Sequence, residues 1–301
     1  MNSLQLIKFP SGTECLVNGS EWIEKRQFGV VFLNAGIVNM VGPNRIYTKL
    51  AERLKHEGFP SFRFDFSGVG NGIQESNEFT FEDYQINETT FVLEEIKQQF
   101  GIKQFILLGL CSGGDVAFRM ARSEHPMLLG TILINAFLLP REEIKLVHDD
   151  AKNRLEKRLH QQNIFSLKKW VGLFRKGPKH LIHILKKFTD SSSIISHPSH
   201  TTSSRDDSTL VGMDSHPMLL VYSEGSVSYE VFKKKFSKQY KKMVAHGANN
   251  LNLMYFAHTD HNFATVISQL KLFDAVVNWL KEIKLVSHSS SEKPAIENLY
   301  H

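Results

Sequence analysis

Cysteine is nearly absent: the chain of 301 residues has two, Cys15 and Cys111. Two thiols cannot build the disulfide framework on which small secreted domains depend, and a reducing compartment leaves both free. Long apolar runs are missing as well. No stretch approaches the roughly 18 uncharged apolar residues of a membrane-spanning helix. The first nine residues contain Lys8 and no apolar run leading to a small-residue cleavage site, so no secretory signal is read there and the expected compartment is the cytoplasm. There is no internal repeat. What the chain does have is 42% hydrophobic residues, 22 of them Phe, against 22% charged, which excludes a disordered, collagenous or coiled-coil chain and suffices for a large core.

The net charge of +5 is unevenly placed. Residues 139–190 hold 13 Lys and Arg against 6 Asp and Glu, a surplus of seven, so the remainder is slightly acidic. A basic module fits an anionic partner such as a phosphate, a membrane surface or an acidic protein, and equally a solvated helical face.

Short apolar runs alternate with helical patterns. VVFLN (30–34), SFRFD (61–65), FILLG (105–109), TILIN (131–135), MLLVY (218–222) and NLMYF (252–256) show little polar alternation, as strands of a sheet covered on both faces do. Between them, residues 46–57, 81–100, 114–123, 229–245 and 264–283 carry apolar residues at helical spacing. This alternation predicts right-handed crossovers and a mostly parallel central sheet with helices on both faces. Residues 4–9 and 13–17, separated by Pro10-Ser11-Gly12, predict a hairpin at the sheet edge. Roughly 80 residues without a strand-like run follow the sixth strand; residues 141–188 read as a helical cap containing Phe165, Trp170 and Phe174, and 189–209 as a Ser/Thr/His-rich linker. The expected division is a core of residues 1–138 and 214–288, a cap and linker at 139–213, and a flexible tail at 289–301 whose Glu297-Asn298-Leu299-Tyr300 looks like part of a cleavable tag.

The most informative segment is Gly109-Leu110-Cys111-Ser112-Gly113-Gly114, where an apolar strand runs directly into a helix. That context and the flanking glycines describe a nucleophile elbow centred on Cys111, with the helix dipole favouring its thiolate. Sliding the frame to Ser112 puts Leu110 where glycine is needed, and the plain alternative is a small buried Cys.

Here the chain resembles the α/β-hydrolase superfamily from Leu4 to Ile283. Phe32-Leu33-Asn34-Ala35-Gly36-Ile37 is similar to the oxyanion segment, Asp65-Phe66-Ser67-Gly68-Val69-Gly70 to the turn after the next strand, and Asp260-His261-Asn262-Phe263 to the catalytic-His segment. The wording around Cys111 is similar to a bacterial subgroup with Cys at the elbow, including hydrolases associated with exosortase systems, and a Cys there also resembles dienelactone hydrolases. The resemblance implies an α/β-hydrolase fold with Cys111 as nucleophile, His261 as base and the backbone N–H groups of Ile37 and Ser112 as oxyanion hole. His258 is the rival base. The family's acid, four residues past the aromatic that ends the seventh strand, falls on Ser226, which leaves Glu224 as nearest carboxylate and Glu142 or Glu143 as a second location.

The expected activity is acyl transfer through a Cys-bound acyl-enzyme. The protein would be an acyltransferase or thioesterase acting on an acyl thioester of coenzyme A or an acidic carrier protein, whose phosphate the basic cap would meet. The alternatives are a carboxylester or lactone hydrolase and a non-catalytic binding relative. No cofactor, metal or nucleic-acid partner is expected, and the amphipathic cap leaves membrane-surface contact open.

Overall fold

Residues 28–33 (FGVVFL) are buried at every position, and the same holds for nearly all of the inner strands, so each must be covered on two faces. In the computed structural model, which describes residues 4–25, 28–70, 81–164 and 216–289, they form one eight-stranded sheet. The strands are β1 (Leu4–Lys8), β2 (Glu14–Asn18), β3 (Phe28–Leu33), β4 (Ser61–Phe64), β5 (Gln104–Leu110), β6 (Leu128–Ile134), β7 (Met218–Gly225) and β8 (Leu251–Asp260). Their spatial order is β1-β2-β4-β3-β5-β6-β7-β8. The hairpin β1–β2 joins β4 antiparallel at one edge, and β4 through β8 run parallel. This is the expected α/β-hydrolase architecture.

Seven α-helices lie among the described residues: α1 (Ile46–His56), α2 (Phe81–Phe100), α3 (Ser112–Arg122), α4 (Arg141–Ile164), α5 (Val227–Lys235), α6 (Ser237–Ala245) and α7 (Val266–Ser289). Two apolar layers result. On one face α1 and α7 bring Leu50, Leu54, Leu272 and Val276 against Val30, Ile106 and Val221. On the other, α2, α3 and α5 bring Val92, Val116 and Phe232 against Val31, Leu107 and Leu220. Because β4 lies on one side of β3 and β5 on the other, the connections diverge at β3 and open a crevice at the C-terminal ends of β3 and β5.

The expected helix over 229–245 is instead two, broken at Phe236. That side chain is fully buried, its ring centroid 6.4 Å from that of Phe232, and its φ of −113° is displaced from the usual helical value. The first cap helix, α4, follows β6 as predicted and packs on α5 through Lys234–Asp150 and Lys235–Glu143 ion pairs. Phe165, Trp170, Phe174, the 189–209 linker and residues 290–301 of the tail lie outside the described residues. Among the described residues no helix is long and apolar enough to cross a membrane.

One buried side chain fixes the floor of the crevice. The Tyr47 hydroxyl donates to the Leu33 carbonyl (2.9 Å) and accepts from the Leu110 N–H (2.8 Å), tying the ends of β3 and β5 together. Tyr47→Phe leaves both backbone groups unpaired and is expected to cost about 2 kcal/mol in urea unfolding; a loss below about 0.5 kcal/mol would mean that the two strand ends are held otherwise.

Candidate active site

Strand β5 meets helix α3 with no room for side chains. A Cβ on Gly109 would sit 2.1 Å from the Gly113 carbonyl carbon, and one on Gly113 would sit 2.5 Å from the Leu33 oxygen. Between these glycines Cys111 takes φ 56° and ψ −122°, a conformation that residues with a Cβ rarely adopt. Its N–H donates to the Ile134 carbonyl (2.8 Å) at the end of β6, and its carbonyl accepts from Asp115 N–H (3.1 Å) in the first turn of α3. The strand–turn–helix context that the sequence predicted is thus formed, with Cys111 partly exposed at its tip.

The electrostatics correct one expectation. The Cys111 thiol is pushed up to about 11, chiefly by burial and further by the Asp115 carboxylate, against a smaller opposing pull from the Ser112 backbone N–H. Desolvation outweighs the helix end, which favours a neutral thiol at Cys111. Asp115 is itself held by the N–H groups of Phe137 (2.7 Å) and Leu138 (3.0 Å). His261 is pushed the other way, its pKa lowered by burial against the opposing charge of Asp260, which favours a neutral ring.

His261 follows β8, and its Nδ1 lies 2.9 Å from Ser226 Oγ, just past β7. Behind Ser226 stands Ser228, Oγ to Oγ 2.6 Å, and both serines are fully buried. The residue in the acid slot therefore does meet the histidine, as a hydroxyl. Asn135, at φ 51° beyond β6, completes the frame: its Nδ2 donates to Ser223 Oγ (2.9 Å) and to the His261 carbonyl (2.8 Å), and its Oδ1 accepts the Ser223 N–H (2.8 Å). Cys111, Asn135, Ser226 and His261 thus follow four neighbouring strands at one edge of the sheet.

The carboxylates expected as the acid are engaged elsewhere. Glu224 accepts from Arg158 of α4 (3.3 Å) and from the His258 N–H (2.6 Å), because α4 delivers its guanidinium between Glu224 and Glu230 (2.7 Å). Glu143 pairs with Lys235 (2.8 Å), and the side chain of Glu142 lies outside the described residues. His258, the rival base, is 94% exposed with Nδ1 3.3 Å from Glu224. In the loop expected to supply an oxyanion amide, the Gly36 N–H donates to Ser112 Oγ (2.7 Å), and Ile37 beside it is 91% exposed. Asp65 is buried in the loop framework, accepting from Asn34 Nδ2 (2.9 Å), and Gly70 leaves it space. No cluster among the described residues could hold a metal ion.

Residues 26–219 match the family model described as serine aminopeptidase, S33. The chain belongs to this hydrolase family. Solved structures share its fold. An esterase from Pyrococcus furiosus is 14% identical, with 93% of this chain and 90% of that chain covered and a TM-score of 0.55. A proline iminopeptidase from Mycobacterium smegmatis is 15% identical over 95% and 100%, with a TM-score of 0.53. A fungal esterase from Rhizomucor miehei is 15% identical over 95% and 84%, with a TM-score of 0.54. Among curated proteins none matches. The family takes its name from a serine enzyme, whereas the elbow here carries Cys111.

The raised thiol makes a specific demand on reactivity. Alkylation of Cys111 by iodoacetamide should climb about tenfold per pH unit from pH ~7 to ~10, tracking thiolate. A plateau below pH ~9 would contradict the burial of the thiol.

Proposed function

We propose that the protein transfers acyl groups through a thioester formed on Cys111, with His261 as base and Ser226 as the group that orients it. The observation that carries this reading is the strained conformation of Cys111 at the tip of the turn between β5 and α3, which costs stability. In the first step the Cys111 thiol gives its proton to His261 Nε2 as Sγ attacks the carbonyl carbon of the donor. The amides of Ser112 and of the 36–37 loop stabilise the resulting oxyanion. Collapse breaks the bond to the leaving group, which departs with the proton held by His261.

The two departures from a Ser–His–acid arrangement support one another. A serine hydroxyl is a poor acid, and its attack requires an imidazolium stabilised by a buried carboxylate. A thiol ionises far more readily, so a ring that is held in place by a neutral hydroxyl suffices. The donor we favour is an acyl thioester of coenzyme A or an acidic carrier protein. Supporting it are the basic surplus of residues 139–190 and the exposed Lys152 and Lys157 on α4. An apolar acyl chain is supported by exposed Ile37, beside Gly36, and by exposed Val266 and Ile267, which follow His261 closely. A carboxylester or lactone hydrolase is the second reading, favoured by the esterases among the similar structures.

Intact-protein mass after incubation with butyryl thioester or an activated ester tests the proposal. The wild type should gain one butyryl group and Cys111→Ala none; no gain in a wild type whose thiol still alkylates would overturn it. The coupling has its own signature. Cys111→Ser alone should be inactive, whereas Cys111→Ser with Ser226→Asp should recover ester hydrolysis by about 10²-fold over the single variant.

A further inference from the structure

Glu224, Glu230, Asp260 and Asp115 stand on the strands and helices that lead into or out of Ser226, His261 and Cys111, and each has other work. Glu224 and Glu230 hold Arg158, Asp260 accepts the N–H groups of Asn262 (2.8 Å) and Ala264 (3.0 Å), and Asp115 accepts those of Phe137 and Leu138. What faces His261 Nδ1 is the hydroxyl of Ser226, backed by that of Ser228, both shut away from solvent. Two hydroxyls can hold the ring and fix its tautomer, but they cannot neutralise the charge of an imidazolium, and burial already opposes that charge.

We infer that the acyl-Cys111 enzyme passes its acyl group to a thiol in preference to water, so that the reaction is thioester exchange; this rests on the acyl-enzyme proposed above. Water is a far weaker acid than a thiol and must be deprotonated by the base as it attacks, which builds full charge on His261. An ordinary thiol, with a pKa near 8.5, attacks with little help. In the exchange the acceptor attacks as its thiolate, its proton left in the solvent, and its sulfur forms a bond to the acyl carbon. The bond from that carbon to Cys111 Sγ breaks, and the thiolate so released takes a proton from the solvent. One thioester replaces another, and nothing is oxidised or reduced.

The test uses p-nitrophenyl butyrate as donor and N-acetylcysteamine as acceptor thiol at neutral pH, with the Cys111→Ala protein as background. Intact mass follows the butyryl adduct, and chromatography separates butyrate from the butyryl thioester. We expect the adduct to persist without thiol and to discharge on its addition, with thioester exceeding butyrate by about tenfold at millimolar thiol. Ser226→Asp should move that ratio toward butyrate by about 10²-fold. An adduct that forms and decays to butyrate equally fast with and without thiol would overturn the inference while leaving the acyl-enzyme intact. Absence of any adduct would instead remove the acyl-enzyme and the inference with it. If Ser226→Asp fails to fold, the wild-type ratio decides alone.

Discussion

Everything at the site depends on the closeness of strand β5 and helix α3. Gly109 and Gly113 leave no space for a single carbon between them, and Gly113 also lies against the Leu33 carbonyl of β3. That contact forces Cys111 into positive φ at the tip of the turn. The surrounding structure holds it there: Tyr47 ties β3 to β5 beneath the turn, and the Cys111 N–H is anchored on β6. From β6 the same frame continues through Asn135 to β7 and the His261 carbonyl. Strain at one residue is sustained by hydrogen bonds spread over five strands, which is how a local cost of about 1–3 kcal/mol persists in a folded protein.

The chemistry follows from what surrounds those residues. Burial and Asp115 keep the thiol protonated, and burial keeps His261 neutral. Cys111 and His261 thus both rest uncharged, and in the proposed reaction charge separates only when an acyl donor arrives. A carboxylate in the acid slot would favour that separation strongly; Ser226 supports it weakly, which a thiol tolerates and a serine hydroxyl does not. The replacements at positions 111 and 226 therefore read as one adaptation of the hydrolase framework.

Much of this was legible in the residues. Fully buried strands such as FILLG announce themselves by unbroken apolar runs, and the elbow by glycines two residues either side of Cys111. The resemblance to the family points to position 226, yet in the sequence a serine there reads as the loss of an acid, because only the fold brings its hydroxyl to His261. Glu224 drew attention as the nearest carboxylate; nothing local revealed Arg158, 66 positions earlier, as its partner. The basic residues of α4 had the look of a solvated or phosphate-facing surface, while Arg158 in fact turns inward between two buried glutamates. The helix dipole at Cys111 was readable too, but the desolvation that outweighs it depends on the whole core. Such pairings of distant residues, and burial itself, are properties of the packed chain rather than of any window of it.

The central claim is that a neutral histidine held by a hydroxyl activates Cys111. It is tested most directly by the single-turnover rate of Cys111 acylation at neutral pH in the wild type and in His261→Ala. The account predicts that removing the imidazole slows acylation by about 10²-fold or more, with the fold unchanged by circular dichroism. Equal rates in the two proteins would contradict it.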